Sequence, residues 1–151
     1  MRFDPAAIEL LQCASRRARQ MGHSYVGSIH LLLAMQEDPG MVSRLLRMSG
    51  ADPMITESMV QVFYGRGTPD LPLPQGFTTR LRKILVRASR EARNLRSRSV
   101  RPVHILLGLI REPDAAAREM LVLQGVDMDT LFTHTMDYLR WDPWPGETSK
   151  K

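Results

Sequence analysis

The sequence is poor in the residues on which catalysis and cross-linking usually rest. Cysteine occurs once, at Cys13, which excludes an internal disulfide. Its place among small residues of a helical pattern predicts a buried structural thiol in a reducing compartment rather than a nucleophile. Aromatic residues make up only 6% of the chain. The longest apolar runs, such as Ile105 to Ile110, fall far short of the roughly 18 residues that suggest a membrane span, and the N-terminus lacks a signal peptide's apolar stretch. The cytoplasm is therefore the expected compartment, with no membrane partner. No Gly-x-x-x-x-Gly-Lys-Ser/Thr loop is present to cradle nucleotide phosphates, and there is neither a His-Glu-x-x-His helix nor a pair of Cys-x-x-Cys elements to enclose a metal. Histidines 23, 30, 104 and 134 are scattered. The reading is of a chain with no catalytic residue, no metal and no cofactor.

What is there suits one globular domain. The chain has 151 residues, 43% hydrophobic and 25% charged, the balance of an ordinary folded protein. The net charge of +5 is unevenly placed: residues 1–66 carry 7 basic and 6 acidic side chains, residues 67–151 carry 14 and 10. Between Arg80 and Arg101 nine Lys or Arg face a single acid, Glu91, a field that attracts carboxylates, phosphates or nucleic acid.

Helix signals follow one another closely. Asp4 and Pro5 form a cap followed by a proline suited to a first turn, and Phe3 is placed to staple against Ile8. Ala7, Leu11, Ala14, Ala18 and Met21 then recur at three- and four-residue spacing, which leaves Arg16, Arg17 and Arg19 mostly toward water. Gly22 stops this helix. Ser28 is the expected cap of a short helix over Ile29–Gln36, and Asp38-Pro39-Gly40 breaks the chain before a third helix with Leu45, Leu46 and Met48. Gly50 ends it; Asp52-Pro53 begins a fourth, with Ile55, Met59, Val60, Val62 and Phe63. The prolines between Gly65 and Gly76 read as an extended linker. Of the ten methionines, Met21, Met35, Met48 and Met120 fall on core positions, whereas Met54 and Met128 follow caps and are expected to be exposed.

The pattern then restarts. A shift of 74 places Phe3 on Phe77, Ala14-Ser15 on Ala88-Ser89, His30 on His104 and Pro39 on Pro113; one inserted residue makes the shift 75, and Gly50 meets Gly125. An offset held across polar, glycine and proline positions marks an internal duplication rather than a shared apolar period. The expected fold is all-α, eight helices in two tandem pseudo-symmetric four-helix repeats: repeat one over 3–64, linker 65–76, repeat two over 77–139, together a domain over 1–140. Residues 141–151, with Trp141 and Trp144 at its start, read as a tail or the beginning of a linker, the tryptophans covering apolar surface. His30 and His104 occupy equivalent places in leucine-rich helices with no nucleophile beside them, so each is read as a structural, hydrogen-bonded histidine.

The segments Gly22 to Met35 (GHSYVGSIHLLLAM) and Ser99 to Glu112 (SVRPVHILLGLIRE) resemble the repeated signature of the Clp N-terminal domain, and with both Phe-containing helix starts the resemblance spans about residues 3 to 139. Gly22, Gly27, Gly50 and Gly125, with His30 and His104, are its structural motif positions. The resemblance implies a module that docks protein substrates or adaptor proteins for a Clp unfoldase ring, as the front of a longer motor or a free accessory protein, with any ATP hydrolysis elsewhere. In the branch that reads phosphorylated arginine, a glutamate precedes the motif histidine and a threonine follows the Phe. Here those glutamate positions are Ile29 and Val103, and the threonine positions are Asp4 and Thr78. The resemblance therefore argues against a phosphoarginine ligand, most of all in the first repeat, since an aspartate repels phosphate. The second repeat has Arg96, Arg101 and Pro102 in place of Gly22, Gly27 and Ser28. Candidate partner contacts are the helix starts Phe3, Asp4, Phe77 and Thr78 and the cationic face Arg80, Lys83, Arg87 and Arg90, suited to acidic segments. The alternative is a basic helical nucleic-acid-binding protein, set second because apolar packing already accounts for the helices.

Overall fold

Two capped helices start the two halves of the molecule in the same way. In the computed structural model, which describes residues 1–67 and 74–141, α1 (Pro5–Gln20) begins where the Asp4 carboxylate accepts the Ala7 amide at 2.8 Å. Helix α5 (Thr79–Asn94) begins where the Thr78 hydroxyl accepts the Leu81 amide at 3.1 Å. Each side chain satisfies one of the amides a helix leaves without an internal partner. The remaining helices are α2 (Ser28–Glu37), α3 (Met41–Met48), α4 (Pro53–Tyr64), α6 (Pro102–Ile110), α7 (Ala116–Leu123) and α8 (Met128–Trp141). Eight helices among the described residues, in two equivalent sets of four, are the all-α duplication read from the sequence.

The repeats are tied by main-chain bonds that cross between them. Phe3 pairs with Val100 and Phe77 with Val26 in isolated parallel bridges. The Asp4 amide donates to the Val100 carbonyl at 3.0 Å, and the Thr78 amide to the Val26 carbonyl at 2.9 Å. Val26 and Val100 donate in turn to Gly76 and Arg2, both at 2.8 Å. These bridges are a pseudo-twofold exchange in which each helix start is anchored on the opposite repeat, and they satisfy extended backbone that would otherwise be left unpaired. Phe3 and Phe77 are half-buried against the core, while Ile8 stays 46% exposed.

Helices α2 and α6 form the centre. Leu31 to Leu33 and Ile105 to Leu107 are buried, and a helix apolar on all sides must be enclosed. Helix α1 packs on α2 and α5 on α6, with α2 also against α7, and α3 against α6 and α8. Polar bonds reinforce the seam: Gln124 accepts from the Asp52 amide at 2.9 Å and donates to Thr56 at 2.7 Å.

Several expectations are corrected. Ser28 is the first residue of α2, and the cap is Gly27; the Ser28 hydroxyl instead accepts the Ala117 amide of the other repeat at 3.1 Å. Met48 is 61% exposed and Met128 8% exposed, the reverse of the sequence reading. Met48 lies at the end of its short helix, beyond the core-facing Leu45 and Leu46, whereas Met128 turns inward at the start of α8. Arg17 is not turned to water but held by Glu57 and Glu37. Cys13 is only partly buried, with its Sγ 3.7 Å from Glu37. Burial and the Glu37 charge raise its pKa, which keeps it a protonated thiol. Trp141 is the last residue of α8 and 87% exposed, so it covers no surface; Trp144 lies outside the described residues. No helix among the described residues is long and apolar enough to cross a membrane.

Candidate functional site

The crossed bridges bring each helix start beside the other repeat's second helix, and a hollow lies at each junction. The larger, about 550 Å³, is lined by Gly27 and Ile29 of the first repeat, Thr78 and Arg80 at the start of α5, and Tyr25 and Tyr64. The smaller, about 330 Å³, is lined by the equivalent Arg101, Val103, Asp4 and Ala6, with Asp38 to Val42 and Tyr138. Each hollow is thus composite. Ile29 faces Thr78 and Val103 faces Asp4, not the within-repeat pairs that sequence order had suggested. The aspartate therefore belongs to the second-repeat entrance, a crossing that no signal in the linear sequence announces.

A histidine fixes each entrance from below. His30 Nδ1 accepts the Gly27 amide at 2.9 Å, and His104 Nδ1 accepts the Arg101 amide at 2.9 Å. Each ring thus reaches back to the cap amide, as a glutamate does in a capping box. Both histidines are buried and hydrogen-bonded to a cap amide. Burial, then the charges of His23 and Arg17, push the His30 pKa down to about 4; burial and Arg101 do the same for His104, also to about 4. Both rings are neutral at pH 7. Beyond this shared bond the two differ. His30 Nε2 lies 2.8 Å from His23 Nδ1, and His23 Nε2 lies 2.9 Å from the Gly65 carbonyl. With the His30 ring neutral and its Nδ1 accepting from Gly27, its Nε2 donates to His23, whose own Nε2 donates to the Gly65 carbonyl. His104 Nε2 is buried with no hydrogen-bond partner among the described residues, because Ser97 stands where the first repeat has His23.

The predicted cationic face is divided by the structure. Arg80 and Arg87 do not point freely outward. They donate to the carboxylate of Glu112 at 2.6 and 2.8 Å, and that carboxylate's side chain is only 5% exposed. Burial raises the Glu112 pKa, but the two arginines outweigh it and hold the carboxyl below its ordinary value. Lys83 and Arg90 are exposed. Arg80 also lies 3.7 Å from Asp114 at the mouth of the larger hollow. Phe3 and Phe77 serve the inter-repeat anchors, and Asp4 and Thr78 cap helices at the hollows' edges. Gly22, Gly50 and Gly125 take positive φ at helix ends. No group of three or more metal-ligating side chains is gathered among the described residues. Tyr25, Tyr64 and Asp114 were not singled out from the sequence; they gather only through the fold.

The fold and its paired hollows define a class: a duplicated all-helical module with hollows between its repeats. The family described as the Clp repeat (R) N-terminal domain matches residues 2–75 and 76–143, and the chain belongs to that family. It is 32% identical over 150 residues to an ATP-dependent Clp protease ATP-binding subunit ClpA homolog of Cyanidium caldarium, and 30% identical over 136 residues to chloroplastic ClpC1 of Oryza sativa subsp. japonica. These matches cover 99% and 89% of the chain but only 17% and 15% of the relatives, so it spans about a sixth of their length. Among solved structures it is similar to the Hsp104 N-terminal domain of Candida albicans (TM-score 0.76, 19% identity, 91% of each chain covered). It is also similar to the N-terminal domain of ClpD from Arabidopsis thaliana (TM-score 0.74, 23% identity, covering 91% of this chain and 97% of that one). The family is a non-catalytic domain, and the match covers no ATPase domain.

Proposed function

We propose that the chain docks protein segments for a Clp unfoldase, receiving substrates or adaptors at the larger inter-repeat hollow. The observation that carries this reading is the hollow itself: about 550 Å³ of space, walled by Tyr25, Ile29, Tyr64 and Ala116, with Arg80 and Asp114 at its mouth. That lining is what recognition of a protruding apolar side chain needs, with a few polar groups to orient the peptide. Ile29 gives the floor no carboxylate to meet a guanidinium, which disfavours phosphoarginine. Exposed Lys83 and Arg90 add attraction for acidic flanking segments. The chain acts in the compartment of its motor, the cytoplasm by the sequence reading, although relatives include chloroplastic proteins.

The test is affinity capture from native extract on immobilised chain, beside an Ile29→Asp variant. Recovery of an unfoldase ring, its peptidase or an adaptor by the parent chain, lost in the variant, supports docking at this hollow. Capture unaffected by Ile29→Asp removes the site. The nucleic-acid alternative predicts a salt-dependent shift of duplex DNA that weakens when Lys83 and Arg90 are reversed to glutamate. Reversing Arg80 or Arg87 would not serve, because it would also break the Glu112 anchor.

A further inference from the structure

The pseudo-twofold leads one to expect two equivalent docking hollows, and a single residue separates them. Gly27 and Arg101 hold the same place. Both are extended caps, at φ −115°, ψ −176° and φ −102°, ψ 164°, and both give their amide to the motif histidine. The turn therefore forms without a side chain, and the arginine is not there to make it. A Cβ placed on Gly27 would reach the Thr78 methyl at 3.5 Å, ordinary contact at the rim of an open hollow. The Arg101 side chain instead runs into the wall of the smaller hollow. The residue is 6% exposed, its Nη2 donates to the Tyr138 hydroxyl at 3.2 Å, and its guanidinium lies 5.9 Å from the centre of the Tyr138 ring. An arginine is seldom so buried, since its charge resists leaving water unless bonded and stacked. Tyr138, from the end of α8, lines this smaller hollow as Tyr64, from the end of α4, lines the larger one.

We propose that Arg101 is a built-in occupant of the second hollow, so that the domain docks partners through the first hollow alone. This rests on the docking reading above and settles how many sites that reading provides. It makes Arg101 the residue that decides between one-sited and two-sited capture. It also means that linking two weak contacts for avidity is closed to a single copy.

The test is NMR of the full 15N-labelled chain titrated with N-acetyl-phenylalaninamide. Saturable shifts are expected at Gly27, Ile29, Thr78 and Ala116 and not at Asp4, Gly40 or Val103. Gly27→Arg, which copies the plug, should weaken the first site about tenfold or more. Arg101→Gly, which copies the open form, should add a second set of shifts at Asp4, Gly40 and Val103. Saturable shifts at both sets in the parent chain overturn the single-site inference and leave docking intact; shifts at neither overturn the docking reading beneath it. If Arg101→Gly lowers stability too far, the parent titration and Gly27→Arg still decide, because unimpaired binding by Gly27→Arg contradicts the plug.

Discussion

The two repeats share a backbone and differ in how it is furnished. Main-chain bonds do the joining: helix starts cross to the opposite repeat, and each motif histidine holds a cap amide. None of these bonds requires a particular side chain at the entrances, so the entrances are free to diverge while the frame stays symmetric. The first repeat keeps Gly27, the His23–His30–Gly65 chain and an open hollow. In the second, Arg101 narrows the hollow, His104 lacks an outer partner among the described residues and Glu112 gathers two arginines. Each difference is a place where the comparison can be broken.

The largest effect expected is on pH dependence. In the folded protein both motif histidines titrate near pH 4, against about 6.5 for an exposed ring. Between those values the unfolded chain binds more protons, so stability is complete above about pH 6.5 and falls as the pH drops toward 4, by on the order of 3 kcal/mol for each ring. Urea midpoints measured across that range should show the slope, and His30→Gln or His104→Gln should each remove about half of it. At neutral pH His30→Gln should be costlier than His104→Gln by about 1 kcal/mol, since among the described residues His30 carries a second bond and His104 does not. Equal losses would mean that the His23 link is not a contributor.

Next comes the packing of the central helices. Gly108 in α6 stands where α2 has Ala34, and a Cβ on Gly108 would lie 2.5 Å from the Ile84 carbonyl oxygen and 3.1 Å from the Ala88 amide nitrogen. The second repeat's helices have thus closed into the space an alanine would need. Gly108→Ala should destabilise by about 1 to 3 kcal/mol, whereas Ala34→Gly should cost about 1 kcal/mol through helix propensity and lost contact. Thermal unfolding of both variants checks this. A neutral Gly108→Ala would show that α5 and α6 can part freely.

What the linear sequence revealed was the part governed by local chemistry and by duplication. Asp4 and Pro5 declared a helix start, and the 74-residue offset declared the repeats. What it hid depends on contacts between distant residues. Ser28 looked like a cap because serine usually is one, yet its hydroxyl is engaged by Ala117. Arg80 and Arg87 looked like an open cationic face because their common partner, Glu112, lies in the connection between α6 and α7, distant in sequence. Met48 and Met128 were misplaced because a helix period fixes a face without saying what covers it. The two inter-repeat hollows were illegible for the strongest reason: each is lined by residues of both repeats.

The Glu112 anchor gives a smaller test. Its repeat-one counterpart, Asp38, only accepts the Gly40 amide at 2.8 Å within its own turn. Glu112→Gln keeps the shape but loses charge-assisted bonds to two half-exposed arginines, a loss of about 1 to 2 kcal/mol; Asp38→Asn should change stability by a few tenths at most. Since the folded carboxyl ionises below its ordinary pH, the parent's advantage over Glu112→Gln should persist at neutral pH and vanish only in acid, as the pH falls through the depressed value. Denaturation midpoints at neutral and acid pH separate this from a packing defect, which would be insensitive to pH.

The smallest effect reverses the usual sign of mutation. Gly22 and Arg96 end α1 and α5 at equivalent positions, with φ of 71° and 61°. Glycine adopts that left-handed conformation freely, whereas a side chain there costs roughly 1 to 2 kcal/mol. Glycine in turn loses more freedom on folding, by about 0.5 to 1 kcal/mol. Arg96→Gly should therefore stabilise the protein by about 0.5 to 1 kcal/mol, and Gly22→Ala should destabilise it by about 1 kcal/mol. Unfolding midpoints of the two variants decide. A loss of stability in Arg96→Gly would mean that the arginine makes an interaction outweighing its backbone strain, and that the second repeat's arginines serve its own fold as well as its entrance.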